Sequence, residues 1–184
     1  NVWQLDFLGT IKSDSKNILS FILPNVHFAL LDIINNPNSK KVVEFFDNLE
    51  NTIGTESFKD LIPVILTDRD PCFNDIEGIC FSKITGEERC KLFFCDPYVS
   101  NQKPHVENNH IFVREILPNG RDWCNLTQDK VDLMFSHINS VPRESLGNKT
   151  PYEIFTFIYG KNLADKLNIQ KIEKDEVTTT PRLF

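Results

Sequence analysis

The sequence predicts one α/β domain with a mixed five-stranded sheet flanked by helices, and the order of its apolar runs is the main reason. Three β-rich runs follow one another closely, at residues 2–8, 18–23 and 26–34, which predicts three antiparallel strands. A helical pattern then precedes a short buried run at 62–67, and this order implies a parallel crossover. A fifth run lies at 92–95, and the remaining patterns are helical.

The first helix and its neighbours carry ordinary local signals. Pro24 and Asn25 separate two β-rich runs as a tight turn. The helix is predicted to have Ser39 as its N-cap and to end at Gly54. Its buried face is predicted from apolar residues at helical spacing, namely Val42, Phe46, Leu49 and Ile53.

Three further helices are predicted in the second half of the chain. The first spans 105–117, and Thr127 is expected to cap the second. The third begins at Thr150, where a Thr cap, a following Pro and Glu153 form a start signal. The mixed segment before the fifth strand has no assigned element, apart from a solvated turn at 85–89.

The composition excludes several classes of protein. Of the 184 residues, 40% are hydrophobic, only 7 are Gly and 10 are Pro, and this composition excludes disordered and collagen-like chains. The net charge is -6. This charge argues against a compact basic nucleic-acid module, but not against an enzyme whose metal ions bridge acids to phosphate. No apolar run reaches the roughly 18 residues of a membrane helix. The odd number of cysteines, without a C-x-x-C pair, favours reduced intracellular thiols.

Three carboxylates stand out from this pattern. Asp6 interrupts an apolar strand, where a charge is costly unless it is paired or bound to a metal. Asp68 ends another apolar strand, at the edge where open α/β sheets place their sites. Glu107 lies early in a helix. Together they would suit Mg²⁺ or Mn²⁺, whereas separately Asp68 is typical of a turn and Glu107 of a helix start.

These acids lie in an ordered series of sequence blocks that covers nearly the whole chain. The blocks are VWQLDFLG at 2–9, LTDRDPCF at 66–73, FCDPY at 94–98, QKPHVEN at 102–108, Arg114 with Pro118-Asn119-Gly120, and 139–153. The second to fourth are similar to T-D-N-G-x-E-F, F-x-x-P-Y and Q-R-G-x-x-E-N. The last is similar to N-x-R-P-R followed by L-G-x-x-T-P-x-E. The series resembles the catalytic region of IS30-family transposases.

The resemblance implies a DDE catalytic core with the RNase H-like fold that retroviral integrases share. It implies that Asp6, Asp68 and Glu107 are the catalytic residues and the ligands of two Mg²⁺ or Mn²⁺ ions per site when DNA is bound. The implied activity is hydrolysis of DNA strands at the ends of a mobile element, followed by joining of the 3′-OH to target DNA. No membrane association is implied, and a homo-multimer is expected in the active complex.

The resemblance also suggests how the chain is organised. Residues 1–170 are expected to form the catalytic core, and 171–184 a charged tail that is loosely attached or mobile. Because the first residue is Asn1, we expect a fragment whose upstream helix-turn-helix DNA-binding region is absent from this chain. A location in the bacterial cytoplasm, associated with the nucleoid, follows from this family.

Four polar side chains are candidates for contact with DNA: Lys103, Asn108, Arg114 and Arg143. Helical spacing places Arg114 on the same face as Glu107, although a pairing of Arg114 with a surface acid is the alternative. Asn139 is expected to cap the end of its own helix.

Two loops depart from the pattern of the family. Arg69-Asp70 replaces Asn-Gly, Lys103-Pro104 replaces Arg-Gly, and a small insertion is expected at 76–91. Asp70 adds a carboxylate that we predict to lie outside the metal ligands. Two alternatives therefore remain: a catalytically impaired DDE-fold module for DNA binding or assembly, and another RNase H-like nuclease, such as one acting on RNA–DNA hybrids.

Overall fold

Five strands form one mixed sheet in the order β3-β2-β1-β4-β5 in the computed structural model. The strands are β1 (Val2–Gly9), β2 (Lys16–Leu23), β3 (Phe28–Asn35), β4 (Val64–Thr67) and β5 (Lys91–Phe94). The first three pair antiparallel, and β4 is parallel to both β1 and β5. The predicted mixed sheet is confirmed. The structure describes residues 1–9, 15–96, 102–120 and 122–184.

Helices cover both faces of this sheet. The helices of the described residues are α1 (Ser39–Ile53), α2 (Thr55–Leu61), α3 (Ile76–Cys80), α4 (Pro104–Ile116), α5 (Gln128–Asn139), α6 (Pro151–Tyr159) and α7 (Lys161–Lys166). Successive side chains of a strand point to opposite faces. On β2, Phe21 packs edge-on against Phe46 of α1, while Ser20 contacts His110 of α4. None of the described helices is long and apolar enough to cross a membrane.

The local start signals of the helices are confirmed, with one shift. The N-cap of α1 is Asn38, whose side chain accepts a hydrogen bond from Lys41 N, so the assignment of Ser39 is wrong by one residue. Thr127 caps α5 as predicted. Thr150 and Glu153 form a complete capping box at α6. The four apolar positions predicted to face the core from α1 are all buried.

The segment before β5 is ordered around a buried arginine. Arg89 donates to Glu50 of α1 at 2.8 Å and to the carbonyls of Ile79 and Gly78 at 2.9 Å each. These bonds hold α3 and the turn that follows it against α1. The prediction of a solvated turn is therefore wrong for Arg89, because its charge is paired inside the domain rather than hydrated.

Side-chain amides of α5 satisfy the backbone of the edge strand β3. Asn139 accepts from Ala29 N at 2.9 Å and donates to Ala29 O at 2.8 Å. Gln128 likewise accepts from Ile33 N and donates to Leu31 O. The expected capping role of Asn139 is wrong, because its side chain turns to the strand. These amides occupy backbone groups that would otherwise leave an open sheet edge.

The C-terminal residues lie on α5. Ile172 N donates to Ser140 Oγ at 3.0 Å, and Thr178 N donates to His137 Nδ1 at 3.1 Å. The ammonium of Lys130 is 5.8 Å from the centre of the Phe184 ring. Two hydrogen bonds and this ring contact thus attach the tail to the domain.

Candidate active site

Two of the predicted acids converge on one lysine at the centre of the sheet. Asp6 lies in β1, and Asp68 directly follows the neighbouring β4. Lys103, the residue before α4, places its Nζ 3.1 Å from Asp6 Oδ2 and 3.0 Å from Asp68 Oδ2. The two carboxylates therefore face the same point in space, although they are far apart in sequence. A parallel crossover explains this, because it places Asp68 on the strand beside Asp6.

The environment of this cluster raises the proton affinity of Asp6. Burial raises the pKa of Asp6 above its usual value, and the charge of Asp68 acts in the same direction. The ammonium of Lys103 opposes both effects through its charge and its hydrogen bond. Lys103 is itself buried and also donates to Leu5 O at 3.2 Å. The cluster is thus a partly desolvated arrangement of two anions around one cation.

Gln4 holds the start of α4, the helix that follows this lysine. The sequence analysis did not predict a role for Gln4. Its Oε1 accepts from the backbone N–H groups of His105 and Val106, at 3.1 and 3.0 Å. These are among the N–H groups that a helix start leaves without internal partners. Gln4 is two residues before Asp6 and so shares its face of β1. A second polar residue on that face of an apolar strand was the signal in the sequence.

Glu107 lies apart from the aspartate pair. It is exposed on the first turn of α4, and its backbone N–H donates to Lys103 O at 3.3 Å. Across the described ranges, no three His, Cys, Asp or Glu side chains lie close enough together to hold a metal ion. The structure thus brings together Asp6 and Asp68, but not Glu107. Pro97 and Tyr98, which carry part of the sequence resemblance, lie outside the described residues.

The donor set of the pair fits a hard divalent cation. Carboxylate oxygens are the ligands that Mg²⁺ and Mn²⁺ prefer, and two of them already surround a positive charge here. The extra carboxylate of Asp70 has a backbone partner of its own, since its Oδ1 accepts from Cys72 N at 2.8 Å. That Asp70 lies outside the metal ligands stays a prediction.

The predicted DNA contacts are in different environments. The Arg114 guanidinium donates to the carbonyl of Gly9 and lies 5.6 Å from the Trp123 ring centre, so its observed partner is not an acid. Arg143 lies 4.0 Å from the ring centre of Phe112, and burial lowers its pKa to about 10. Asn108 is exposed and lines a cavity of about 40 Å³ beside Arg143.

All five cysteines are free thiols, and their reduced state in the cell stays a prediction. Cys72 is half-buried, and its backbone N–H donates to Asp70 Oδ1. Burial, then the hydrogen bond to Asp70 and its charge, raise the pKa of Cys72 to about 11. The thiol is therefore protonated at neutral pH and is a poor nucleophile.

Sequence comparison relates the chain to transposases. No protein-family model matches it. It is 31% identical over 104 residues to the transposase for insertion sequence element IS4351 of Bacteroides fragilis, covering 56% of this chain and 30% of that protein. It is 36% identical over 64 residues to transposase InsI for element IS30A of Escherichia coli K12, covering 35% and 17%. The chain is similar to IS30-type transposases. It spans less than a third of these relatives.

Structure comparison relates the fold of the chain to that of retroviral integrase catalytic cores. The catalytic core domain of bovine immunodeficiency virus (BIV) integrase aligns with a TM-score of 0.62 at 21% identity, covering 88% of this chain and 97% of that one. The HTLV-2 integrase catalytic core, solved in complex with magnesium, aligns with a TM-score of 0.57 at 13% identity, covering 84% and 95%. The chain has the RNase H-like fold of integrase catalytic cores, as the sequence resemblance implied.

Proposed function

We propose that this chain is the catalytic core of a metal-dependent DNA transposase. The observation that carries the proposal is the convergence of Asp6 and Asp68 on a single positive charge, on adjacent strands of an integrase-type sheet. Asp6, on the central strand, is the proposed shared ligand of two Mg²⁺ or Mn²⁺ ions. Asp68 and Glu107 are each proposed to hold one of them when DNA is bound.

The proposed chemistry needs no nucleophile from the protein. Bound ions would activate the attacking oxygen and stabilise the leaving oxygen of an in-line displacement. The chain's own residues then have to hold the metal, align the phosphate and limit access of water. Hydrolysis at an element end would free a 3′-OH, and a second displacement would join that 3′-OH to target DNA.

DNA binding by the proposed enzyme relies on more than this domain. Lys103, Asn108, Arg114 and Arg143 remain the candidates for phosphate contact. The net charge of -6 opposes binding of the isolated domain to DNA at physiological salt. We therefore propose an upstream helix-turn-helix region and a homo-multimeric active complex, acting in the bacterial cytoplasm at the nucleoid.

The test is nicking of a DNA duplex that carries an element end, by full-length protein, with Mg²⁺ or Mn²⁺. We expect Asp68→Asn to abolish nicking while the protein remains folded. Asp70→Asn removes a carboxylate two residues away and is the matched control, which should remain active. Nicking that survives Asp68→Asn, or that needs no divalent ion, would overturn the proposal.

A catalytically impaired DNA-binding or assembly module is the second candidate. Two observations favour it: Glu107 is separate from the aspartate pair, and Arg69-Asp70 and Lys103-Pro104 replace glycine-containing turns. This candidate predicts specific binding of end DNA with no cleavage under either metal ion. Cleavage of an RNA–DNA hybrid in preference to element ends would instead identify another RNase H-like nuclease.

A further inference from the structure

The ammonium of Lys103 is fully coordinated by oxygen. It has three N–H donors, and three acceptors lie within bonding distance: Leu5 O at 3.2 Å, Asp6 Oδ2 at 3.1 Å and Asp68 Oδ2 at 3.0 Å. The lysine is buried, so water does not replace these contacts freely. Lys103 therefore fills the space between the two carboxylates as a bound cation would.

The oxygens that Lys103 holds are those that a metal ion would need. Asp6 Oδ1 already accepts from Phe7 N at 2.8 Å, and Asp68 Oδ1 accepts from Asp70 N at 3.0 Å. Backbone hydrogen bonds thus fix one oxygen of each aspartate and aim the other at the lysine. The two Oδ2 atoms are the pair that faces a common point.

We propose that Lys103 is a tethered counter-ion that competes with the divalent cation for Asp6 and Asp68. A metal ion contacts carboxylate oxygens at about 2.0–2.1 Å. An ion placed between the same two Oδ2 atoms would lie against the ammonium, and the like charges would repel strongly in a partly desolvated site. Metal binding therefore requires Lys103 to leave. This inference rests on the proposed function, since it takes the two aspartates as metal ligands.

Release of the lysine gives a physical link between metal and DNA. A lysine stem is flexible and carries a compact charge, so the ammonium can swing away while Gln4 keeps the start of α4 fixed on β1. A DNA phosphate near the site offers the freed ammonium a new anionic partner. DNA and metal should then each raise the affinity for the other, because a coupling free energy is reciprocal.

The test is direct measurement of Mn²⁺ binding, for example from the signal of free Mn²⁺ in electron paramagnetic resonance, at pH 8 without DNA. We expect Lys103→Met to bind Mn²⁺ about tenfold more tightly than wild type, or better, because it removes a competing charge-assisted contact. Lys103→Arg retains the charge and should bind no more tightly than wild type. Lys161→Met removes an exposed lysine that pairs with Asp165, and it controls for net charge.

Unchanged or weaker Mn²⁺ binding in Lys103→Met would overturn the inference. If Lys103→Met does not fold, Lys103→Gln takes its place, and the rise in Tm that Mn²⁺ causes is measured for each folded variant. We expect this rise to be larger for Lys103→Gln than for wild type or Lys103→Arg. Adding a short DNA duplex should tighten Mn²⁺ binding more in wild type than in Lys103→Met. The double variant Lys103→Met with Asp68→Asn tests the proposed function separately. If the aspartates are not metal ligands, this variant binds Mn²⁺ as tightly as Lys103→Met does.

Discussion

Replacing Arg89 by Met should strongly destabilise the domain, because it removes a buried cation from the segment between β4 and β5. Arg89 and Glu50 are 2% and 1% exposed, and their side chains meet at 2.8 Å. The Nη1 atom of Arg89, which contacts Glu50, is also 3.0 Å from Asp47 Oδ1. The central carbon of the Arg89 guanidinium lies 5.4 Å from the centre of the Phe58 ring. Burial opposes the ionisation of Glu50, but hydrogen bonds from Ser82, Thr55 and Arg89 hold its pKa below the usual value.

The size of the effect follows from what Arg89→Met leaves behind. Glu50 would remain buried without its cation, and the carbonyls of Ile79 and Gly78 would each lose a donor. Removing one partner of a buried ion pair costs about 3–5 kcal/mol, and most of this is the penalty of the uncompensated charge. Lys83→Met is the matched control. Lys83 pairs with the same Asp47 from an exposed position, so its removal should cost less than about 1 kcal/mol.

Urea unfolding at pH 7, followed by circular dichroism, measures both free energies. The double variant Arg89→Met with Glu50→Gln should recover part of the lost stability, since it removes the buried charge together with its partner. A loss below about 1 kcal/mol for Arg89→Met would contradict this prediction, because the pair would then be hydrated rather than buried. Equal losses in the single and double variants would show that the charge of Glu50 is not the cause.

Two further stability predictions concern the edge strand β3. Burial, followed by the charge of Asp132, raises the pKa of Asp32 to about 6 from 3.8, so the folded state binds this proton more tightly and stability falls as pH rises from about 4 to 6. Asp32→Asn should therefore gain at most about 3 kcal/mol over wild type by pH 8, and equal pH slopes of Tm in both proteins would contradict this. Asn139→Leu should lower the free energy of unfolding in urea by about 2–4 kcal/mol, because it leaves the buried N–H and C=O of Ala29 without hydrogen-bond partners. A neutral result would mean that water reaches this edge.

Sequence patterns that extend over only a few residues were sufficient to predict much of the fold. The apolar runs of the strands, the helical spacing of α1 and the capping box of α6 all depend on near neighbours in sequence. The meeting of Asp6 and Asp68 was also predictable, because a parallel crossover places the end of β4 beside β1. In contrast, α2 and α3 are short and were not assigned. The segment that contains α3 depends on Arg89 reaching Glu50, 39 residues away.

Patterns along the chain were enough to predict the α/β fold class, the apolar strand that contains Asp6 and the place of Asp68 at the end of another strand. Apolar periodicity and the succession of elements can be recognised without knowing which elements pack together. Tertiary structure decided how the polar side chains are used. Lys103 was predicted as a DNA contact, yet it reaches Asp68, 35 residues away in sequence, and closes the acidic pair. Glu107 lies in the first turn of the helix that follows Lys103, but it remains exposed. A side chain's partner depends on packing between distant elements, which local sequence patterns do not encode.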